Sequence, residues 1–292
     1  MLFLLIEVTM SSPNFLIFGG PNSGKTHYAG QLVGRLKHKP NDFKIRIGDG
    51  ASSDIAALTQ VLTKLEEGNS ADHTPIDQYS KIYLPLVSKA GQHIDLNWPD
   101  YGGEQISEIF KQREVPIDWQ NRIESSDGWI LFIRLSSETT YPDALKKLTS
   151  VQSKNNAQKE KRPDIWDANA HYIELIQILC HVGGIHLNSN PNKPPLVIAL
   201  SCYDEINVED KTPDEVFCEK LPLFSKFINN VWPQNKISIW GVSALGKSLS
   251  AESNDEDFID CGPENNGWVI APKQHCKDSD LAAPLSWILD RI

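Results

Sequence analysis

The chain sets short, mostly apolar runs between longer stretches in which apolar residues recur every three or four positions. Residues 14–18 (Asn-Phe-Leu-Ile-Phe), 129–133, 195–200 and 237–242 are runs of the first kind. Near-continuous apolar runs of this length are the pattern of strands covered on both faces. Tyr28, Leu32, Val33 and Leu36 follow the first run at helical spacing. The same spacing returns in Ile55, Ala56, Leu58, Val61, Leu62 and Leu65, then in Ile106, Ile109 and Phe110, and again over 169–183. It predicts helices that lay one face on a core. Further helices are expected over about 214–231, interrupted near Pro222, and over about 281–292. Phe43 to Ile47 alternates like a short strand. Lys81 to Val87 reads as an edge strand, since Pro85 cannot donate to a ladder. It should turn at Ala90-Gly91-Gln92 into a returning strand, His93 to Trp98.

Strands that alternate with helices predict an α/β fold, here a six-stranded, mostly parallel sheet with helices on both faces. The 292 residues read as a single domain with insertions at 43–80, 136–168 and 249–278, the last a polar, acidic excursion. With 40% apolar residues a sizeable core is within reach. A formal net charge of −10 argues against a general nucleic-acid surface and against anionic membranes. Five cysteines, an odd number without a tight framework, read as reduced thiols of a cytoplasmic protein. Residues 1–9 are apolar but too short to span a bilayer, and they lack the basic start of a signal peptide. They are either an added edge strand or a segment upstream of a true start at Met10. Lys146, Lys147, Lys154, Lys159, Lys161 and Arg162 cluster in a polar stretch, as a solvated face or as a docking surface for an acidic partner.

Candidate chemistry starts at Gly19-Gly20-Pro21-Asn22-Ser23-Gly24-Lys25-Thr26, which fits G-x-x-x-x-G-K-[ST] between an expected strand and an expected helix. Glycines let such a loop curl its N–H groups inward around a phosphate, and the helix N-terminus adds positive potential there. Lys25 would reach the β- and γ-phosphates, and the Thr26 hydroxyl would ligate Mg²⁺. The competing reading is a glycine-rich turn that merely caps a helix.

Four later elements narrow the chemistry. Asp100 follows a strand, with Gly103 three residues on. An aspartate there can hold Mg²⁺ through a water, and a glycine there lets its N–H approach a γ-phosphate. Thr74 lies in the loop before the edge strand and would complete the Mg²⁺ shell. Ser201-Cys202-Tyr203-Asp204 follows the strand 195–200, and Asp204 could accept hydrogen bonds from the N1–H and amino group of guanine. Ser243-Ala244-Leu245 follows the strand 237–242 and offers a backbone N–H to the guanine O6. Ligands of open α/β sheets bind at the carboxyl ends of strands, where Asp100, Ser201 to Asp204 and Ser243 to Leu245 fall.

Taken in chain order, Gly19 to Thr26, Thr74, Asp100 to Glu104, Ser201 to Asp204 and Ser243 to Leu245, and over about residues 14–246, the elements resemble the Ras-like, translation-factor-related class of P-loop GTPases. Thr74 to Lys81 is similar to the first switch loop of small GTPases. Within the class the chain looks most like the double-GTPase type of bacterial conflict systems, from the long insertion before Thr74 and the ending Gly267-Trp268-Val269-Ile270. The resemblance implies GTP/GDP and Mg²⁺ as ligands, with the phosphates held by Gly19 through Lys25 and by His27 beside Thr26. It implies Mg²⁺ on Thr26, Thr74 and Asp100, and base reading by Asp204, Ser243, Ala244 and Leu245. Lys25, Thr74, Gly103, Glu104 and Gln105 become the candidate catalytic set, and a protein effector or GTPase-activating partner is expected.

Two departures matter. The base-reading motif is usually N-K-x-D. Without the lysine it loses a stem that lies against the base, and without the asparagine it loses a tie to the phosphate loop. Tyr203 or Cys202 would have to substitute. Glu104 stands where a glutamine usually orients the attacking water, so hydrolysis should be slow unless Gln105 or a partner helps. A nucleotide-binding scaffold without turnover and a P-loop ATPase remain the alternatives.

Overall fold

The computed structural model describes residues 13–38, 45–48, 56–71, 81–88, 91, 93–99, 104–141, 166–188, 193–208 and 210–292. At residues 56, 57, 81–85, 95–99 and 104 it describes the backbone alone. Four strands form a parallel array in the spatial order β1 (Phe15–Gly19), β5 (Gly128–Ile133), β6 (Leu196–Ser201) and β7 (Ile237–Ser243). Two short antiparallel strands, β8 (Trp268–Ile270) and β9 (Lys277–Asp278), complete a six-stranded sheet. The sheet is therefore mostly parallel, as expected, but two of its strands come from the segment read as a polar excursion. They are too short for a two-residue period to show in sequence.

Side chains alternate across the central strands and build two separate cores. Phe15, Ile17, Ile130, Phe132, Val197, Ala199 and Val242 face one side. There they meet α1 (Lys25–His38) through Tyr28, Leu32, Val33 and Leu36, and the C-terminal helix α9 (Ala283–Leu289) through Leu285 and Ile288. Leu16, Phe18, Trp129, Leu131, Ile133, Ile198 and Leu200 face the other side. That face is covered by α3 (Glu104–Gln112), α4 (Ile117–Glu124), α5 (Ala168–Val182), α6 (Pro213–Lys220) and α7 (Pro222–Val231). Trp129 and Leu131 are fully buried, and a buried side chain of that size contributes ~1.5–3 kcal/mol. The interruption expected near Pro222 is real, since that proline begins α7 one residue after Leu221 closes α6. Helix α4 has only Trp119 and Ile123 as buried anchors, too few to write a period into the sequence.

A second sheet joins β2 (Ile45–Ile47), β3 (Lys81–Ser88) and β4 (His93–Pro99) in that order. Strand β3 is its middle strand, which corrects the reading of 81–87 as an edge. Its ladder to β2 covers only Leu86 to Ser88, so Pro85 falls just outside it and need not donate on that side. Helix α2 (Ala56–Glu66) packs on α1 through Leu58 and Leu62.

The C-terminal segment is stitched into the phosphate-loop helix. Arg35 of α1 is fully buried, and its guanidinium donates to the carbonyl oxygens of Ser279, Asn266 and Gly267. Burial lowers its pKa to about 10 against the opposing pull of the nearby Asp280 carboxylate, so it stays charged at neutral pH. Tyr28 donates its hydroxyl to the Leu281 carbonyl at 2.5 Å. The excursion is thus structural as well as polar.

Candidate functional site

At the end of β1 the backbone turns through Asn22 (φ 56°) and Gly24 (φ 76°), both left-handed, and enters α1. Glycine takes that conformation without strain, and two such residues in one short loop curl its amides inward. The Lys25 ammonium donates to the carbonyl oxygens of Gly19 and Gly20 and to the Ser23 hydroxyl, each at 2.9 Å. These bonds stretch the lysine back over the loop's inner rim and leave it only 8% exposed. The start of α1 adds the positive potential of a helix N-terminus, so the loop presents a concave, positive surface to an anion.

The opposite wall follows β6 and β7. Cys202 adopts a left-handed conformation (φ 48°) and lies against the phosphate loop, its sulfur 3.5 Å from where a Cβ on Gly24 would sit. Burial pushes its thiol up to about 11, against a smaller opposing pull from Arg134, so it stays protonated. Asp204 accepts a short hydrogen bond from the Ser243 hydroxyl, which in turn accepts from the Gly246 N–H at 2.9 Å. One carboxylate oxygen of Asp204 is thereby locked, and the second takes no hydrogen bond from the described residues. Each carboxylate oxygen has two lone pairs, so Asp204, held by Ser243 through one of them, keeps acceptor capacity on both oxygens for a pair of ring and exocyclic N–H donors. Gly267 (φ 85°) packs under this wall, and a Cβ there would lie 2.2 Å from the Ala244 carbonyl oxygen.

Arg134, the first residue after β5, crosses between the two walls. Its Nε and Nη2 donate to both carboxylate oxygens of Glu205 at 2.9 and 2.5 Å, and Nη1 reaches the Asn22 carbonyl at 3.4 Å. Burial pushes the Glu205 carboxyl up, but hydrogen bonds from Arg134 and Ser136 outweigh it and hold the group below the usual range. The Glu205 hydrogen bond is the main reason the guanidinium is held above its ordinary value.

A strap from the two insertions closes the same end. Ser70 N–H donates to the Ser250 carbonyl at 2.9 Å, Asp255 N–H to Gly68 at 3.1 Å, and Asn69 and Asn254 exchange two hydrogen bonds at 3.2 and 2.7 Å. Leu245 and Leu249 pack beneath it against Val61, Leu65 and Phe258. Lys247 pairs with Asp255, the cap of α8 (Glu256–Cys261), at 2.7 Å.

Between these walls is a cavity of about 410 Å³. It falls within the roughly 300–1,000 Å³ usual for small-molecule sites. Pro21 to Thr26 line it from the phosphate loop, and Cys202, Asp204, Ala244 and Leu245 line it from the wall after β6 and β7. The structure therefore brings the expected phosphate and base elements to one space. His27 also lines it, and its Nε2 accepts from the Ala71 N–H at 3.0 Å, so the imidazole anchors the strap. Ser243 is fully buried behind Asp204.

Other expectations fare differently. Tyr203 is no substitute for the missing lysine, because it is buried in the core, edge-on to Trp268 and above Gly241. Gln105 lies outside the cavity lining, its amide oxygen accepting from the Trp119 indole at 3.1 Å. Thr74, Asp100 and Gly103 lie outside the described residues, as do the basic cluster 146–162 and residues 1–9, and for Glu104 the backbone alone is described. Arg134, Glu205 and Ser70 were not foreseen. A signal existed for Arg134, the first charge after a wholly apolar strand, at the end where ligands bind.

The sequence model of one family, Double-GTPase 1, matches residues 16–288. The chain belongs to the Double-GTPase 1 family. It is a P-loop GTPase of the double-GTPase type, built on a mostly parallel six-stranded sheet. No characterised protein matches by sequence. Among solved structures, the Arl6 BBS3 small GTPase from Trypanosoma brucei with bound GppNp is similar at 10% identity and TM-score 0.41, over 96% of each chain. The GTP-bound Ski7 GTPase-like domain of S. cerevisiae is similar at 15% identity and TM-score 0.42, over 80% of this chain and 43% of that one. The signal recognition particle receptor SRb-GTP/SRX complex of Chaetomium thermophilum is similar at 12% and 0.37, over 83% and 95%. Family membership rests on the matched span, not on these distant likenesses. Among the described residues no helix is long and apolar enough to cross a membrane.

Proposed function

We propose that the chain binds GTP and GDP with Mg²⁺, hydrolyses GTP slowly, and works as a nucleotide-controlled switch in the cytoplasm. The observation that carries this is the single cavity in which Lys25 and its loop face the end occupied by Asp204 and Ala244. A triphosphate joined to a guanine spans those two ends, and the locked Asp204 suits the two N–H donors that guanine has and adenine lacks. Thr26, in the first turn of α1, would hold Mg²⁺ together with Thr74 and Asp100, and the ion would neutralise charge on the phosphates. The family match over 16–288 supports one domain with insertions at 43–80, 136–168 and 249–278.

Slow turnover follows from two residues. Glu104 brings a negative charge where a neutral amide usually orients water, and Gln105 is engaged with Trp119. An activating protein partner would then set the rate, and the double-GTPase family suggests a role in bacterial defence. Nucleotide extracted from freshly purified protein should be GDP or GTP. Phosphate release should be slow alone and rise when the partner is added. Adenine nucleotide in the extract would contradict the assignment. A second reading, a scaffold that binds without turnover, is favoured by the same Gln105–Trp119 contact, and no phosphate release with any partner would select it.

A further inference from the structure

The base-reading segment lacks the asparagine that usually ties it to the phosphate loop, and the residues at 201 and 202 do not take over. The Ser201 hydroxyl is buried without a hydrogen-bond partner among the described residues. Cys202 touches the loop only through a neutral thiol near Gly24. Yet a cation stands between the two loops, brought from a different strand. Arg134 grips both carboxylate oxygens of Glu205, the residue after Asp204, and reaches the Asn22 carbonyl at the tip of the phosphate loop. The Ser136 hydroxyl also donates to the Glu205 carboxylate, so the acceptor is itself held in place.

We infer that Arg134 and Glu205 form a coupler that holds the guanine-reading Asp204 at a set distance from the phosphate loop, supplying from β5 the fastening that this segment's own sequence lacks. The inference rests on the guanine-nucleotide reading above. Arginine fits the task because its planar fork makes two parallel bonds to a carboxylate and has a further nitrogen to spare. The bond to Asn22 is long at 3.4 Å and contributes little energy by itself. The bidentate grip sets the geometry, so Arg134 is a positioning residue.

The consequence is specific. A nucleotide touches both loops at once, and its affinity depends on their separation being set before it arrives. With the coupler cut, the phosphate loop still binds a triphosphate, but Asp204 no longer meets the base in register. Discrimination between GTP and ATP should therefore fall, while triphosphate binding is kept. An arginine that contacted the phosphates directly would weaken both nucleotides equally.

The test is titration calorimetry with GTP and with ATP, in Mg²⁺, on the wild type and on Arg134→Met, Arg134→Lys and Glu205→Gln. Loosened preorganisation should cost GTP ~10-fold in affinity for Arg134→Met and for Glu205→Gln, and ATP less than ~2-fold, with Arg134→Lys in between. Equal losses for the two nucleotides, or unchanged GTP affinity in both Arg134→Met and Glu205→Gln, would overturn the inference. So would a collapse of the nucleotide-free melting temperature in all three variants, which marks a general structural role. A wild type without preference for GTP would instead overturn the functional reading beneath it, before any variant is compared.

Discussion

The two ends of the cavity are built on opposite principles. The phosphate end is one unbroken stretch, Gly19 to Thr26, in which backbone curl, lysine and helix start follow each other in sequence. The base end gathers Arg134, Ser201 to Glu205, Ser243 to Leu249, the strap at 68–71 and 250–255, and Gly267 beneath them. A local device cannot lose a part without losing its shape. A device assembled from separate segments can lose one part and be fastened by another, as Arg134 and Glu205 illustrate.

That contrast is broken most severely at the phosphate end. Lys25→Ala removes the cation proposed to meet the phosphates. Two charge-assisted hydrogen bonds at ~1.5–3 kcal/mol each set the loss at a hundred-fold or more for GTP and ATP alike. Calorimetry that found either nucleotide unaffected would place the phosphates elsewhere. Asp204→Asn should act at the other end only. It costs GTP about a hundred-fold by the same arithmetic and leaves ATP nearly as it was. Equal weakening of both would show that the carboxylate does not read the base.

Smaller effects sharpen the picture. Gly267→Ala must move the Ala244 carbonyl or strain its own left-handed backbone, at ~1–3 kcal/mol. The melting temperature should fall by several degrees, and guanine preference should fall with it, since Ala244 lines the cavity. A fall in melting temperature with preference intact would separate this glycine from the site. Asn69→Ala cuts two strap hydrogen bonds worth ~1 kcal/mol each, so release of a fluorescent GDP analogue should speed up by as much as about thirty-fold. An unchanged release rate would show that the strap does not gate the base.

Legibility in the sequence follows the same division. The phosphate loop was readable because it is contiguous and its residues have distinct physical tasks. The parallel strands were readable because β1, β5, β6 and β7 are buried on both faces and so are apolar but for a few serines. Asp204 and Ser243 were readable as short motifs after strands, but not the hydroxyl-to-carboxylate bond between them. The Arg134–Glu205 grip joins residues 71 positions apart, and the Asn69–Asn254 exchange joins residues 185 apart. No local period records such pairs. Strands β8 and β9, of three and two residues, are likewise set by the strand beside them rather than by their own pattern. Tyr203 misled for a related reason. An aromatic after a strand suits a base platform, but here it fills core space above Gly241.

The most direct test of the account is whether one cavity reads both ends of a guanine nucleotide. Nucleotide-free wild-type protein, melted with equal excesses of GTP, GDP, ATP and inorganic triphosphate in Mg²⁺, reports this through the stabilisation each ligand confers. The account predicts the largest rise with GTP and GDP, a smaller one with ATP, and a rise with triphosphate similar to that with ATP. A rise with ATP equal to or larger than that with GTP would contradict it.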